Sequence, residues 1–138
     1  MLPAVTIYTD GGSRGNPGPA AIGIVLCDAR DRLLREHKEF LGTATNNEAE
    51  YRAVLRGLKL AARYTRGSVT CVADSELVVR QLTGVYRARS PAMKELLGLV
   101  REQEASFEQV RYRNEPRLAG RLRRADELVN EALDRATR

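Results

Sequence analysis

The stretch 69-VTCVADSELVVRQL-82 changes its hydrophobic period within a few residues. Its first part, Val69–Ala73, is a nearly continuous apolar run, which is typical of a central strand buried on both faces. A short helix is predicted from Ser75 to about Leu82, because a capping residue stands at its start and apolar residues follow. A strand that leads directly into a helix begins a β–α unit and favours a parallel neighbour in the sheet.

The residues before this unit predict three strands. Val5–Thr9 is β-branched and aromatic and predicts a strand that runs into Asp10. Residues 20–27 and 33–41 predict two more strands joined by a hairpin turn. Between the first two strands, 11-GGSRGNPGPA-20 contains four glycines and two prolines, so we expect a loop there.

Helical spacing begins after Gly42. Apolar residues recur every three or four positions from Tyr51 to Ala62, which predicts an amphipathic helix. Thr45 or Asn46 is expected to cap its first turn. This helix lies between the third strand and the central strand, and it completes a β–α–β connection.

The last third of the chain predicts another helix after Pro91, a fifth strand at 107–113 and a final amphipathic helix at 125-ADELVNEA-132. The order is βββαβααβα. Hairpins at the front indicate antiparallel strands and the later crossovers indicate parallel ones. We therefore predict an α/β fold, a mixed five-stranded sheet with helices on both faces, in one domain of residues 1–138.

Composition excludes several classes of protein. A chain of 138 residues with 30% charged and 43% hydrophobic residues is globular. It has no apolar run near the roughly 20 residues of a membrane span, and its first residues do not resemble a secretion signal. Cys27 and Cys71 lie in apolar stretches and predict two buried thiols, so we expect a cytoplasmic protein. The net charge of +5, carried by 20 arginines and 3 lysines, favours a nucleic-acid partner.

Two aspartates follow neighbouring predicted strands. Asp10 ends the first strand and Asp74 ends the central one, at the strand ends where open α/β sheets bind ligands. Each alone is explained as a loop or capping residue. Together they would repel unless a cation lay between them. Mg²⁺, which prefers carboxylate oxygens, is one such cation, and an arginine is the alternative.

The segment 45-TNNEAEY-51 holds two glutamates near the start of a helix. Glu50 precedes the core residue Tyr51 and is expected at the edge of the buried face, where it looks toward the sheet. Glu48 lies about 200° away around the helix and is expected to point to solvent. The helical phase therefore favours Glu50 as the third acid of the site. Asp126, at the start of the last helix, is either an ordinary first-turn acid or a fourth ligand.

Four segments together identify a family. TDGGSRGNPGPAAIG, TNNEAEY, ADSELV and ADELVNEA, in this order and spacing, resemble type 1 ribonuclease H over nearly the whole chain. The resemblance implies the ribonuclease H-like fold and a cluster of four carboxylates that is both catalytic and metal-binding: Asp10, Glu50, Asp74 and Asp126.

The activity implied by this resemblance is endonucleolytic hydrolysis of the RNA strand of an RNA–DNA hybrid. It implies two Mg²⁺ or Mn²⁺ ions as cofactors and products with 5′-phosphate and 3′-hydroxyl ends. We expect a monomer that binds the hybrid, with no membrane association and no obligate protein partner. The substrate-binding residues implied by the resemblance, or by glycine's close backbone approach to a sugar, are Gly11, Gly12, Gly15, Asn16, Thr45, Asn46, Asn47 and Glu76.

The chain departs from the family pattern in two places. The segment 83–94 is too short for the long basic handle of some members, although Arg87, Arg89 and Lys94 offer partial replacements. The segment before the last helix has no histidine, and Leu122 stands where an asparagine is usual. Residues 111–124 instead contain six arginines, which are either solvated surface charge or, in our hypothesis, contacts to substrate phosphates.

Two other functions fit the same sequence. One is a non-catalytic module that binds a hybrid or RNA, which loss of the acids would indicate. The other is a different nuclease of the ribonuclease H-like superfamily. All four acids are present, and the TNN segment with the glycine-rich segment favours hybrid recognition, so ribonuclease H is the leading hypothesis.

Overall fold

The predicted order of elements is confirmed. A computed structural model describes all residues, 1–138. The elements are β1 (Leu2–Ser13), β2 (Gly18–Asp28), β3 (Leu33–Ala44), α1 (Asn46–Ala61), β4 (Thr65–Ala73), α2 (Glu76–Leu82), α3 (Pro91–Glu104), β5 (Gln109–Asn114) and α4 (Leu122–Ala136). None of the helices is both long and apolar enough to cross a membrane.

The five strands form one mixed sheet in the order β3-β2-β1-β4-β5. The hairpin strands pair antiparallel, β1 with β2 and β2 with β3. Because helices connect β3 to β4 and β4 to β5, the later strands run parallel to β1. The central position of β4 is therefore confirmed, and the mixed α/β sheet is the predicted fold.

Alternating residues of β2 explain why both faces of the sheet are covered. Ile22, Ile24 and Leu26 point into the main core with α1 residues such as Val54 and Leu58. The intervening residues of β2 pack against α4 on the opposite face. Since all of these β2 side chains are buried, the strand carries an unbroken apolar sequence rather than an alternating one.

The predicted loop at 11–20 is mostly strand. The β1–β2 ladder continues through Gly11 opposite Ile22 and Ser13 opposite Ala20, so the connection is reduced to residues 14–17. Glycine and proline usually interrupt the pairing of strands. Here β2 pairs with β3 from its first residue and with β1 from Ala20, and this pairing keeps the segment in the sheet.

The last helix begins earlier than its acidic motif suggests. Helix α4 starts at Leu122, which is buried against the sheet, so Asp126 lies in the second turn rather than at the helix start. The basic run before Asp126 masks the helical pattern in the sequence. The first-turn interpretation of Asp126 is therefore wrong.

Candidate active site

Strands β1 and β4 bring two aspartates together. The parallel register aligns Thr9 with Ala73, so the residues that follow, Asp10 and Asp74, lie side by side at the carboxyl end of β4. Asp10 is only 4% exposed, and Asp74 is half-buried just beyond the end of its strand. The predicted juxtaposition of the two acids is observed.

Helix α1 adds a third acid because its first turn lies directly on β1. A side chain at Gly11 would place its Cβ 2.4 Å from the carbonyl carbon of Ala49, so only glycine permits this approach. Glu50 is 6% exposed, and its Oε1 accepts a hydrogen bond from the Gly11 N–H at 3.3 Å. The predicted orientation of Glu50 toward the sheet is confirmed. Gly11 thus serves helix packing, and it also lines the cleft above the acids, so its close approach to a sugar stays a prediction.

The three acids form a cluster suited to a cation. One carboxylate oxygen from each of Asp10, Glu50 and Asp74 lies within 4.8 Å of the others. Glu50 Oε2 and Asp74 Oδ1 are buried and have no hydrogen-bond partner. Buried carboxylate oxygens without partners are costly unless a cation or proton satisfies them. A hard divalent ion fits this all-oxygen donor set.

The same arrangement alters the acidity of the cluster. Burial, followed by the charge of Asp74, raises the pKa of Asp10 to about 7. Burial and the charges of Asp10 and Asp74 raise the pKa of Glu50 well above its usual range. Repulsion between close carboxylates in a poorly solvated site explains both directions. A bound cation would reverse them by stabilising the ionised forms.

Asp126 lies in the same cleft but outside the compact trio. Its side chain is 22% exposed, and Arg117 Nε is 3.8 Å from its Oδ1. It lines the same cleft as Asp10, and its charge contributes to the raised pKa of Asp10. Asp126 therefore lies at the edge of the acidic cluster and is more open to solvent than Asp10 or Glu50.

The cleft above the acids has a volume of about 350 Å³ and a mostly polar lining. Gly12, Asn46 and Asn47, which the sequence analysis assigned to substrate binding, all line it. Asn46 Oδ1 accepts hydrogen bonds from the Ser13 N–H at 2.8 Å and from the Ser13 hydroxyl at 3.1 Å. The start of α1 is thereby tied to the end of β1 beside the acids.

The other predicted substrate residues surround this cleft without lining it. Asn16 Oδ1 accepts a hydrogen bond from the Asn46 N–H at 3.0 Å, and Gly15 has a φ of +97°, a left-handed conformation that favours glycine. Thr45 caps α1 through its side-chain oxygen, 3.1 Å from the Glu48 N–H. Glu76 is exposed and pairs with Arg80 at 2.8 Å.

The prediction that Glu48 points to solvent is wrong. Its Oε1 accepts a hydrogen bond from the Thr45 N–H at 3.0 Å, which completes a capping box with the Thr45 side chain. These bonds to Thr45 lower the pKa of Glu48. The second glutamate of the motif is therefore structural. A threonine followed three residues later by a glutamate is the signal that could have revealed it.

Two arginines at the start of α4 are placed differently from the prediction. Arg121 binds Asp31, with Nη2 2.7 Å from the Asp31 carbonyl oxygen. Arg124 pairs with Glu36 at 2.9 Å and Glu131 at 2.7 Å. Both side chains link α4 to the hairpin and β3, because the early start of the helix turns them toward acids there.

Two other arginines line the cleft. Arg117 lies near Asp126, and Arg14 Nη2 is 2.6 Å from Asp134 Oδ1. Arg14 was not among the residues predicted for the site. Its position in the glycine-rich segment that follows Asp10 is the sequence feature that could have indicated it. The sole histidine, His37, lies in β3 outside the cleft, and its Nε2 is 3.0 Å from Glu39 Oε1.

Comparison with known proteins agrees with the fold. The reverse transcriptase-like family model matches residues 8–132. A ribonuclease HI of Halobacterium salinarum is 40% identical over 96% of this chain, and a bifunctional protein of Mycobacterium tuberculosis, Rv2228c, is 39% identical over 96%. The chain spans 65% and 36% of the lengths of these two relatives.

Solved structures are similar over nearly their whole length. RNase H1 of Halobacterium salinarum is 39% identical with a TM-score of 0.91, covering 96% of this chain and 98% of that one. LC11-RNase H1, solved in complex with an RNA/DNA hybrid, is 40% identical with a TM-score of 0.89, covering 97% and 99%. Together with the family match and the acidic cluster, these similarities show that the chain belongs to the type 1 ribonuclease H family.

Proposed function

We propose that this protein is a metal-dependent endonuclease that hydrolyses the RNA strand of RNA–DNA hybrids. The observation that carries the proposal is the buried trio of Asp10, Glu50 and Asp74, in which two carboxylate oxygens have no partner. A relative of 40% identity is known in complex with an RNA/DNA hybrid, which supports the same substrate here.

The proposed ligands of two Mg²⁺ or Mn²⁺ ions are Asp10, Glu50, Asp74 and Asp126. Such ions, when bound, supply activation of the attacking water and stabilisation of the leaving 3′ oxygen, which gives 5′-phosphate and 3′-hydroxyl products. Asp10 is the best-placed acid to serve both ions, since it neighbours each of the other three. Burial and the Gly11 N–H hold Glu50 in one orientation, so the donor set is preorganised.

Substrate selection is proposed to depend on the polar rim of the cleft. Asn46 and Asn47 stand beside the acids, where their amides can contact base edges and sugars of the hybrid's minor groove. The Gly12 backbone leaves room for a ribose 2′-hydroxyl, because even an added Cβ there would lie 3.8 Å from its nearest neighbour. Thr45, Gly15, Asn16 and Glu76 complete the proposed contacts, with Thr45 near a DNA phosphate.

Arg117 is proposed to assist the reaction from the side of Asp126. Its guanidinium is exposed and lies 3.8 Å from that carboxylate, close enough to contact a phosphate bound at the acids. The ion pair of Arg117 with Asp126 is long and exposed to solvent, so replacing it with a contact to a phosphate costs little free energy. We further propose that residues 1–138 act as one monomeric domain in the cytoplasm, in keeping with two free buried thiols.

A substrate panel tests the proposal. End-labelled RNA–DNA hybrid, double-stranded RNA and double-stranded DNA are each incubated with Mg²⁺, Mn²⁺ or EDTA. We expect cleavage of the RNA strand of the hybrid alone, only with metal, and products that a ligase accepts at their 5′-phosphates. Hybrid binding without cleavage under any metal would indicate the non-catalytic module instead, and cleavage of DNA would indicate another nuclease.

A further inference from the structure

A cationic groove lies between α1 and β3, outside the acidic cleft. Arg52, Arg56 and Lys59, here called the cationic stripe, are spaced four and three residues apart on α1, which places them along one side of the helix, and Arg63 follows in the turn after the helix. Beside them is a cavity of about 160 Å³, lined by Ile22, Glu39, Leu41, Arg52, Leu55, Arg56 and Lys59. The groove therefore has an apolar floor and a cationic wall.

The positive charge of this groove is largely unbalanced. Its one acid, Glu39, already accepts from Arg56 Nε at 3.0 Å and faces His37 Nε2 at 3.0 Å. Glu48, the other acid near Arg52, is engaged in the cap of α1. Arg52, Lys59 and Arg63 thus form no ion pair. By contrast, Arg14 and Arg117 of the cleft and Arg124 of α4 each do.

This arrangement disfavours the isolated helix. Like charges three or four residues apart destabilise a helix by about 0.2–0.5 kcal/mol per pair. The stripe contains two such neighbouring pairs, Arg52 with Arg56 and Arg56 with Lys59. A bound polyanion would convert this repulsion into attraction, in the same way that a cation would relieve the repulsion of the acidic trio.

The position of the stripe connects it to the proposed substrate. Helix α1 begins at the cleft with Asn46 and Asn47. Arg52 is about 9 Å and Lys59 about 20 Å further along the helix axis, at 1.5 Å per residue, and Arg63 follows beyond the helix end. A nucleic-acid strand has a phosphate about every 3.4 Å of its axis. The stripe therefore runs beside the length of about three phosphates.

We propose that the groove between α1 and β3 binds the phosphate backbone of nucleic acid that extends beyond the catalytic cleft. This inference rests on the proposed hybrid substrate and extends it to a second contact surface. The contact is independent of sequence, because the groove presents flexible cations and no array of base-reading amides. It explains how a member without the long basic handle can hold a long substrate.

The test compares two triple variants that lose the same charge. Arg52→Gln/Lys59→Gln/Arg63→Gln removes the unpaired cations of the stripe and of the turn after α1, and Arg30→Gln/Arg66→Gln/Arg135→Gln removes three exposed cations elsewhere. Affinity for hybrids of about 8 and 24 base pairs is measured in EDTA by fluorescence anisotropy from 50 to 300 mM salt. Melting temperature serves as the folding check, and relief of repulsion should leave that of the groove variant at least equal to wild type.

For the long hybrid, we expect the affinity of the groove variant to fall at least ~10-fold at moderate salt. The slope of log affinity against log salt should become shallower by about 2, because each lost phosphate contact removes about 0.7–0.9. The control triple should lose much less, and the groove variant's loss should be smaller for the short hybrid. Equal losses in the two triples, or an unchanged slope in the groove variant, would overturn the inference. Wild-type protein that bound neither hybrid would instead refute the proposed function itself.

Discussion

Replacing Asp10 by asparagine should stabilise the metal-free protein, and more so at alkaline pH. The folded protein raises the pKa of Asp10 from 3.8 to about 7, chiefly through burial and the nearby Asp74. An acid whose pKa is raised on folding contributes full stability below its unfolded pKa and loses it as pH rises through the folded value. Asparagine carries no charge, so the variant escapes this loss.

The magnitude follows from the size of the pKa difference. Each unit is worth about 1.36 kcal/mol, so the raised pKa of Asp10 lowers the stability of the metal-free fold by up to about 4 kcal/mol at pH 8 and by about 1–2 kcal/mol at pH 5, relative to an uncharged side chain. Glu50 shares the repulsion, so about 2 kcal/mol is a conservative expectation at pH 8. For a domain of this size that corresponds to a rise in melting temperature of roughly 6–10 °C.

The assay is thermal unfolding in EDTA at pH 5 and pH 8, followed by circular dichroism. Asp134→Asn, which changes an exposed carboxylate paired with Arg14, is the matched control and should shift stability by less than ~1 kcal/mol at either pH. Adding Mg²⁺ should stabilise wild type more than Asp10→Asn. An Asp10→Asn protein that melts no higher than wild type at pH 8, or an advantage that is equal at both pH values, would refute the proposed repulsion.

Three further predictions concern neighbouring residues. Glu50→Gln should lower the rate of single-turnover cleavage by at least ~100-fold. Glu48→Gln keeps a capping side chain, so its rate should stay within a few-fold of wild type. The reverse ranking would contradict the assignment of Glu50 to the site. Gly11→Ala should destabilise the fold by more than ~2 kcal/mol in chemical denaturation, because its Cβ would meet backbone at 2.4 Å, and near wild-type stability would contradict the argument from close packing. Arg121→Ala/Arg124→Ala should lower the free energy of unfolding but leave the slope of log hybrid affinity against log salt within about 0.5 of wild type. A clearly flatter slope would show that these arginines contact substrate phosphates.

The fold could be predicted because its signals are local. The apolar run at Val69–Ala73, the capped helix after Thr45 and the hairpin strands each determine their own structure, and the connection rules then leave few sheets to choose from. The position of Glu50 followed from helical phase relative to Tyr51. Such arguments succeed where a side chain's direction is set by its own element.

The errors arose where distant parts of the chain decide the outcome. Residues 11–13 are strand because β2 pairs with them, although their composition favours a loop. Arg124 points to Glu36, which is 88 residues away in sequence, so no local pattern could separate it from a substrate contact. Glu48 was misplaced for a different reason, since its capping box was visible in the sequence and the helical phase alone was followed.

The most direct test of the central claim is single-turnover cleavage by Asp10→Asn, measured together with hybrid affinity. The account holds that Asp10 is the central metal ligand, whereas binding depends mainly on phosphate and sugar contacts. It predicts that the variant loses cleavage of the labelled RNA strand by at least ~100-fold in Mg²⁺ and binds the hybrid as tightly as wild type. Cleavage near the wild-type rate by the purified variant would contradict the assignment of the acidic cluster as the catalytic site.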